Sequence, residues 1–229
     1  MDKVGHLVVF ARAPRIGRVK SRLAAEIGAI NAWRVYRQMV LALLQRLGKQ
    51  HRWHCWLAVD SCPGVHNRSI WPYGWRQIAQ GNGNLGTRMA SVARMLPPGP
   101  VVIIGSDIPE IAVNDVTTAF RSLARNDLVF GPAIDGGYWL IGFKRRPVPH
   151  GLFSDVRWSS RYALTDTLAN ARHLKVACLH LLEDIDTAAS LLRWRRGIRI
   201  ARVLPSETPP KGLPVRPARP RHQRRHARR

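Results

Sequence analysis

Val101-Val102-Ile103-Ile104-Gly105-Ser106-Asp107-Ile108-Pro109 decides the fold. Four β-branched apolar residues in a row predict a strand buried on both faces, as in a parallel sheet covered by helices. Gly105 ends the run, an acid follows two residues later, and Pro109 stops the ladder. Ligands of open α/β sheets sit outside the carboxyl ends of the strands. Asp107 is therefore placed where a ligand or metal would be met. An Asp that merely caps a turn fits the same local spacing, so other stretches have to decide between the two readings.

Upstream, Leu7–Ala11 reads as a first strand. It runs into Arg12-Ala13-Pro14-Arg15-Ile16-Gly17-Arg18-Val19-Lys20-Ser21-Arg22-Leu23, where Arg12, Arg15, Arg18, Lys20 and Arg22 crowd into one loop. A cationic loop between a first strand and helical sequence suits phosphate, although it matches neither common glycine-rich phosphate motif. Asn31 is placed as the cap of a helix ending near Leu47 and Gly48, with Val35, Met39, Leu43 and Leu47 as its core stripe. His54–Asp60 reads as a second strand. Cys62–Trp75 is an irregular connection whose tryptophans fit an apolar cluster better than a base-stacking platform. The glycine-rich stretch Gln80–Gly86 opens a helix, Leu85–Met95, with Arg88 in its first turns where an anion can be met.

Downstream, Asn114 is placed as a cap of a helix reaching Arg125, and Asp127–Gly131 and Tyr138–Phe143 read as strands. Asp135-Gly136-Gly137 between them fits a hairpin turn, and equally a backbone lying close to a ligand. Alternation allows only one of Tyr138 and Trp139 to face a site. A helix capped by Ser159 or Ser160 ends by Ala171, and His173–Leu182 is strand-like. Glu183, Asp184 and Asp186 then precede a helix over Ala188–Arg196, so Asp186 fits a helix cap as well as a site.

Strands alternating with helices give a three-layer α/β/α sandwich with a mostly parallel, Rossmann-like sheet, with one antiparallel strand near Asp135. The 229 residues suffice for one domain, 1–204, followed by a disordered basic tail, 205–229. In the tail Lys211 and seven arginines face a single acid, Glu207. The whole chain carries 37 Lys and Arg against 14 Asp and Glu, a net charge of +23. Such a balance suits anionic partners, or reflects an arginine-rich composition throughout. Cys55, Cys62 and Cys178 show no zinc spacing, and an odd count fits a reducing compartment. The first apolar run is too short for a signal sequence, and no stretch approaches the roughly 20 apolar residues of a membrane span. A cytoplasmic protein is the expectation.

Several motifs in order carry a resemblance. Phe10–Leu23 resembles the opening of a family of small GT-A fold glycosyltransferases linked to arsenosugar biosynthesis. Gly81–Met89, Gly105–Pro109, Gly131–Tyr138, Leu152-Phe153 with Trp158-Ser159, and Asp184–Thr187 are similar to that family's other blocks, over about residues 5–195. Lys20-Ser21-Arg22-Leu23 also looks like phospholactate guanylyltransferase, and the wider arrangement is similar to molybdenum-cofactor nucleotidyltransferases. One departure is Asn84, which stands where the family has an acid.

The resemblance implies a nucleotide-diphospho-sugar transferase fold that holds a nucleoside di- or triphosphate with Mg²⁺ or Mn²⁺. It makes Asp107 the first metal ligand and Asp186 the second. Arg12, Arg18, Lys20, Arg22 and Arg88 are then candidates for the nucleotide and its phosphates. Asp135 is the catalytic candidate, as a base toward an acceptor hydroxyl or as an anchor for a sugar hydroxyl. Gly136 and Gly137 bring backbone amides to the donor sugar. Three functions compete: transfer of a sugar from a nucleotide sugar to a small-molecule acceptor, nucleotidyl transfer from a nucleoside triphosphate to a phosphorylated small molecule, and nucleic-acid binding through the basic tail.

Overall fold

A computed structural model describes residues 4–60, 70–144 and 148–197. The tail 205–229 lies outside these residues, as does most of the connection after Asp60. The described elements are β1 (Gly5–Ala11), α1 (Ser21–Ile27), α2 (Ala29–Gly48), β2 (Trp53–Val59), β3 (Arg76–Ala79), α3 (Leu85–Met95) and β4 (Val101–Gly105). They continue with α4 (Val113–Leu123), β5 (Leu128–Pro132), β6 (Tyr138–Phe143), α5 (Ala163–Asn170), β7 (Val176–Cys178) and α6 (Ala188–Arg195).

The strands form one seven-stranded sheet in the order β3-β2-β1-β4-β6-β5-β7. β6 runs antiparallel to both β4 and β5, and the other pairings are parallel. Alternation along β1 sorts its side chains to two cores. Leu7 and Val9 pack with Tyr36, Val40 and Leu43 of α2 and with Val116 and Ala119 of α4. Val8 packs with Met89 and Val92 of α3 on the opposite face, where Leu164 and Leu168 of α5 join. A third cluster, Leu23, Val35, Met39, Ile185 and Leu191, ties α1, α2 and α6 together. The architecture is the expected three-layer sandwich with a mostly parallel sheet.

The strand order also fixes where a ligand can enter. The chain first builds outward from β1 through β2 to β3, then returns to place β4 on the other side of β1. The carboxyl ends of β1 and β4 thus flank the crevice where the winding reverses, the position at which open α/β sheets bind ligands.

Several local expectations are corrected. α1 is a separate two-turn helix, too short to show an apolar stripe in sequence. Gly28, at φ +85°, divides it from α2. α2 therefore starts at Ala29, and Asn31 is not its cap but donates from Nδ2 to the Ile27 carbonyl at 2.9 Å. α4 begins at Val113 rather than after Asn114, and its start is held by Asp115 Oδ2 accepting from the Ala112 amide at 2.8 Å. Ser159 and Ser160 do not cap α5, which begins at Ala163; Ser160 Oγ instead closes a turn between the Arg157 carbonyl and the Tyr162 amide. β3 was not legible because this short edge strand is polar and largely exposed, with no apolar alternation. The strand expected over His173–Leu182 is confined to Val176–Cys178.

One buried polar residue joins the sheet to the site. Gln80 Nε2 donates to the carbonyls of Ala11 (3.1 Å) and Ala58 (2.9 Å), tying the ends of β1 and β2, while its Oε1 accepts from Arg88 at 2.6 Å. Gln80→Leu removes all three of these bonds and leaves the Ala11 carbonyl with the Asp60 amide alone, at 3.2 Å. It is expected to destabilise the protein by about 2–3 kcal/mol, read as a lower denaturation midpoint at unchanged denaturant slope.

Candidate active site

The loop after β1 is clipped to its surroundings before it delivers Lys20. Tyr36 Oη donates to the Arg12 carbonyl and accepts from the Arg12 amide, both at 2.9 Å. The Ala13 amide donates to Asp60 Oδ1 at 2.7 Å, and Trp33 Nε1 donates to the Pro14 carbonyl at 2.9 Å. The loop ends at Lys20 in a left-handed conformation, φ 52°, immediately before α1. That geometry is unusual for a residue with a Cβ, and it turns the Lys20 side chain inward.

The Lys20 ammonium lies 3.0 Å from Asp107 Oδ1 and 2.8 Å from Asp186 Oδ1, and its side chain is only 4% exposed. Burial works to lower its pKa, but the two carboxylates outweigh this and hold it above the ordinary lysine value. Arg22 approaches Asp186 Oδ2 at 3.6 Å. The backbone fixes the two acids relative to each other, because the Ile185 amide donates to the Asp107 carbonyl at 3.1 Å. Asp186 does not cap α6. Thr187 takes that role, accepting from the Ser190 amide at 3.2 Å, which leaves the Asp186 carboxylate to Lys20 and Arg22.

These groups border a cavity of about 750 Å³, a size suited to a nucleotide-scale ligand. Its acids, Asp107, Asp135, Asp184 and Asp186, lie toward β4 and the β5–β6 hairpin. Over β1 and β3 it is bordered by Arg12, Arg88 and Gln80. Burial lowers the Arg88 pKa, and the neighbouring Arg12 charge lowers it further against the pull of Asp60. Two guanidiniums held together at a cavity wall favour an anionic ligand there. Arg18 is exposed and does not border the cavity, and Gly137 borders it whereas Gly136 does not. Tyr138 and Trp139 both border it, contrary to simple alternation, because the cavity lies across the start of β6 rather than on one sheet face.

Asp135-Gly136-Gly137 is the turn of the β5–β6 hairpin and also a cavity wall. Asp135 Oδ1 accepts from the Gly137 amide at 2.9 Å, which fixes the carboxylate and leaves Oδ2 for a ligand. Gly136 has φ +85°, and a Cβ there would collide with the Arg161 backbone. The Leu164 amide donates to the Gly136 carbonyl at 3.1 Å, so the approach to α5 buttresses the turn. Asn84 caps α3, its Oδ1 accepting from the Thr87 amide at 2.9 Å. An acceptor at this position thus serves the helix, and Asn supplies it without the charge.

The cavity acid that sequence reasoning did not single out is Asp184. Burial pushes its carboxyl up to about 6, and the nearby Asp186 and Asp135 add to the shift, with Lys20 opposing. Its sequence signals were the two-residue spacing from Asp186 in an extended segment and its place at the head of the Asp184–Thr187 block. Tyr36 and Gln80 gave none, because each matters through a contact distant in sequence. Among the described residues no three His, Cys, Asp or Glu side chains converge as a ready metal cage. Asp107 and Asp186 nevertheless already share one cation. Two carboxylates completed by phosphate oxygens and water form a donor set that suits Mg²⁺ or Mn²⁺.

The chain belongs to a bacterial family described as "uncharacterized protein conserved in bacteria (DUF2064)", whose model matches residues 43–160. No curated protein matches it. Among solved structures it resembles a candidate nucleotide-diphospho-sugar transferase from Desulfovibrio desulfuricans G20, with 28% identity and a TM-score of 0.78 over 86% of this chain and 88% of that one. It shares its fold with 4-diphosphocytidyl-2C-methyl-D-erythritol synthase from Anaerococcus prevotii (11% identity, TM-score 0.57, 86% of this chain and 96% of that one). A Mycobacterium tuberculosis H37Rv protein, Rv0371c, solved with manganese, has the same fold (14% identity, TM-score 0.50, 84% of this chain and 98% of that one). The likeness shows an α/β fold shared with nucleotide-diphospho-sugar transferase structures. Among the described residues no helix is long and apolar enough to cross a membrane.

Two consequences can be measured. Burial, with Asp186 and Asp135 adding to it, pushes the Asp184 carboxyl up to about 6 from its ordinary 3.8. Its contribution to stability is complete below about pH 4 and is lost as the pH rises through about 6. In chelator, Asp184→Asn is expected to match wild type at pH 4 and to exceed it above pH 6 by on the order of 1 kcal/mol, reduced from the full shift because the group is partly solvated. Gly136→Ala is expected to cost about 2–3 kcal/mol in denaturant melts, through its positive φ and the collision with the Arg161 backbone.

Proposed function

We propose that this protein is a metal-dependent glycosyltransferase of the GT-A type, which transfers a sugar from a nucleoside-diphosphate donor to a small-molecule acceptor. The observation that carries the reading is the pair Asp107 and Asp186, held on one cation at the crevice between β1 and β4. The 28%-identical candidate nucleotide-diphospho-sugar transferase supports it over most of the chain. The manganese complex of a protein sharing the fold supports a divalent cation. The resemblance of the motifs to those of the arsenosugar-linked type is consistent with this reading.

In this reading Asp107 and Asp186 hold Mg²⁺ or Mn²⁺. The bound ion supplies charge stabilisation for the departing nucleoside diphosphate. Lys20 and Arg22 place cationic donors beside the diphosphate, where negative charge grows in the transition state. Arg12 and Arg88 hold the nucleotide over β1 and β3. Gly137 presents backbone to the donor sugar, and Asp135 Oδ2 orients a sugar hydroxyl or accepts the proton of the acceptor. The hairpin and the approach to α5 keep Asp135 fixed while the ligands change. Nucleotidyl transfer uses the same parts differently: an acceptor phosphate attacks the α-phosphorus of a nucleoside triphosphate and pyrophosphate leaves.

The products separate these reactions. Wild-type protein with Mn²⁺ is expected to release nucleoside diphosphate from a nucleotide sugar and to be stabilised by that donor in thermal melts. Asp107→Asn is expected to lose both, with transfer falling about 100-fold or more. Pyrophosphate release from a nucleoside triphosphate that depends on Asp107 would replace glycosyl with nucleotidyl transfer.

A further inference from the structure

The proposed metal ligands already have a cation, and it belongs to the protein. Lys20 engages Oδ1 of both Asp107 and Asp186, and Arg22 faces Asp186 Oδ2. A divalent ion drawn to the same two carboxylates has to compete for those oxygens and has to lie beside a buried ammonium. Like charges at such separations repel, and the ammonium side of the pair is buried even though Asp107 and Asp186 face the open cavity. The ammonium has little freedom to withdraw into solvent. Its side chain is 4% exposed, and the loop carrying it is clipped at Arg12, Ala13 and Pro14. Conversely, a polyphosphate arriving without the metal meets two carboxylates and a lysine that they have already neutralised.

Both obstacles disappear when the two ligands arrive together. Phosphate oxygens in the cavity give the ammonium a new partner, and the metal takes over the carboxylates that it releases.

We propose that Lys20 is an interlock that makes divalent-cation binding and polyphosphate binding at this site depend on each other. The inference rests on the proposed placement of the metal at Asp107 and Asp186. It assigns Lys20 a positioning role beyond contact with phosphate. The lysine stands in for the metal in the empty site and moves to the phosphates in the loaded one. Linkage is reciprocal, so each ligand tightens the other by the same factor.

The test uses the full chain, Mn²⁺ alone and Mn²⁺ with inorganic pyrophosphate, which carries the diphosphate chemistry without a base or sugar. Protein-bound manganese is counted by equilibrium dialysis against known free Mn²⁺. Lys20→Met keeps most of the length of the side chain and removes the charge. Mn²⁺ alone is expected to bind Lys20→Met at least tenfold more tightly than wild type. Pyrophosphate is expected to tighten Mn²⁺ binding at least tenfold in wild type and much less in the variant. Should Lys20→Met not fold, Lys20→Gln takes its place, and pyrophosphate tightening of Mn²⁺ that is undiminished in the variant overturns the interlock. Manganese that binds wild type tightly, equally with and without pyrophosphate, and is lost in Asp107→Asn overturns the interlock and leaves the proposed function standing. Wild type that binds no manganese under any condition, nucleotide sugars included, overturns the proposed metal site and the interlock with it.

Discussion

The buried ammonium of Lys20 between Asp107 and Asp186 is the constraint around which the site is arranged. A lone charge taken out of water is costly, and it persists here because two carboxylates meet it. Its partners come from different parts of the chain. Lys20 ends the loop after β1, Asp107 follows β4, and Asp186 precedes α6. Their meeting couples the early loop, the central strand and the last helix, and the backbone bond from Ile185 to Asp107 adds to the coupling. The left-handed backbone at Lys20 belongs to the same arrangement, since it turns the chain into α1 and the side chain under the loop.

The sheet supplies the setting for this triad. Because the winding reverses between β1 and β4, two strand ends open onto one crevice rather than being covered by their own connections. The antiparallel β6 brings the Asp135 turn to the same edge as the parallel strand ends. The cavity is consequently polar in a directional sense. Arg12 and Arg88 line it over β1 and β3 without an acid of the cavity wall among them, whereas toward β4 and the hairpin the acids lie interleaved with Lys20, Arg22 and Arg161. A ligand with an anionic chain and a hydroxyl-bearing end matches that distribution.

Much of this is legible in the sequence alone. The apolar run of β4, the cationic loop after β1, and the Asp-Gly-Gly turn announced the sheet and three of its site-bearing ends, because each is a local pattern with a local cause. Asn84 was legible as a departure, and the structure gives its use as the cap of α3. Helix starts were less secure. Several side chains near each start have capping chemistry, and which one caps depends on where the preceding chain enters. Asn31 and Asn114 lost that role to a glycine break and to Asp115, respectively.

The sequence by itself determined the alternation of strands and helices, the buried central strand, and the presence of acids and cations at strand ends. These follow from side-chain hydrophobicity and spacing, which act over a few residues. Only the tertiary structure decided how those groups pair. It gave Asp186 to Lys20 rather than to a helix end, buried Asp184 beside Asp186 and Asp135 so that its carboxyl is pushed up to about 6, and left Arg18 in solvent. It also turned Gln80 and Tyr36 into the fastenings of the loop and sheet. Each of these depends on distances between residues far apart in the chain, and those distances are set by strand order and packing, which no local pattern encodes.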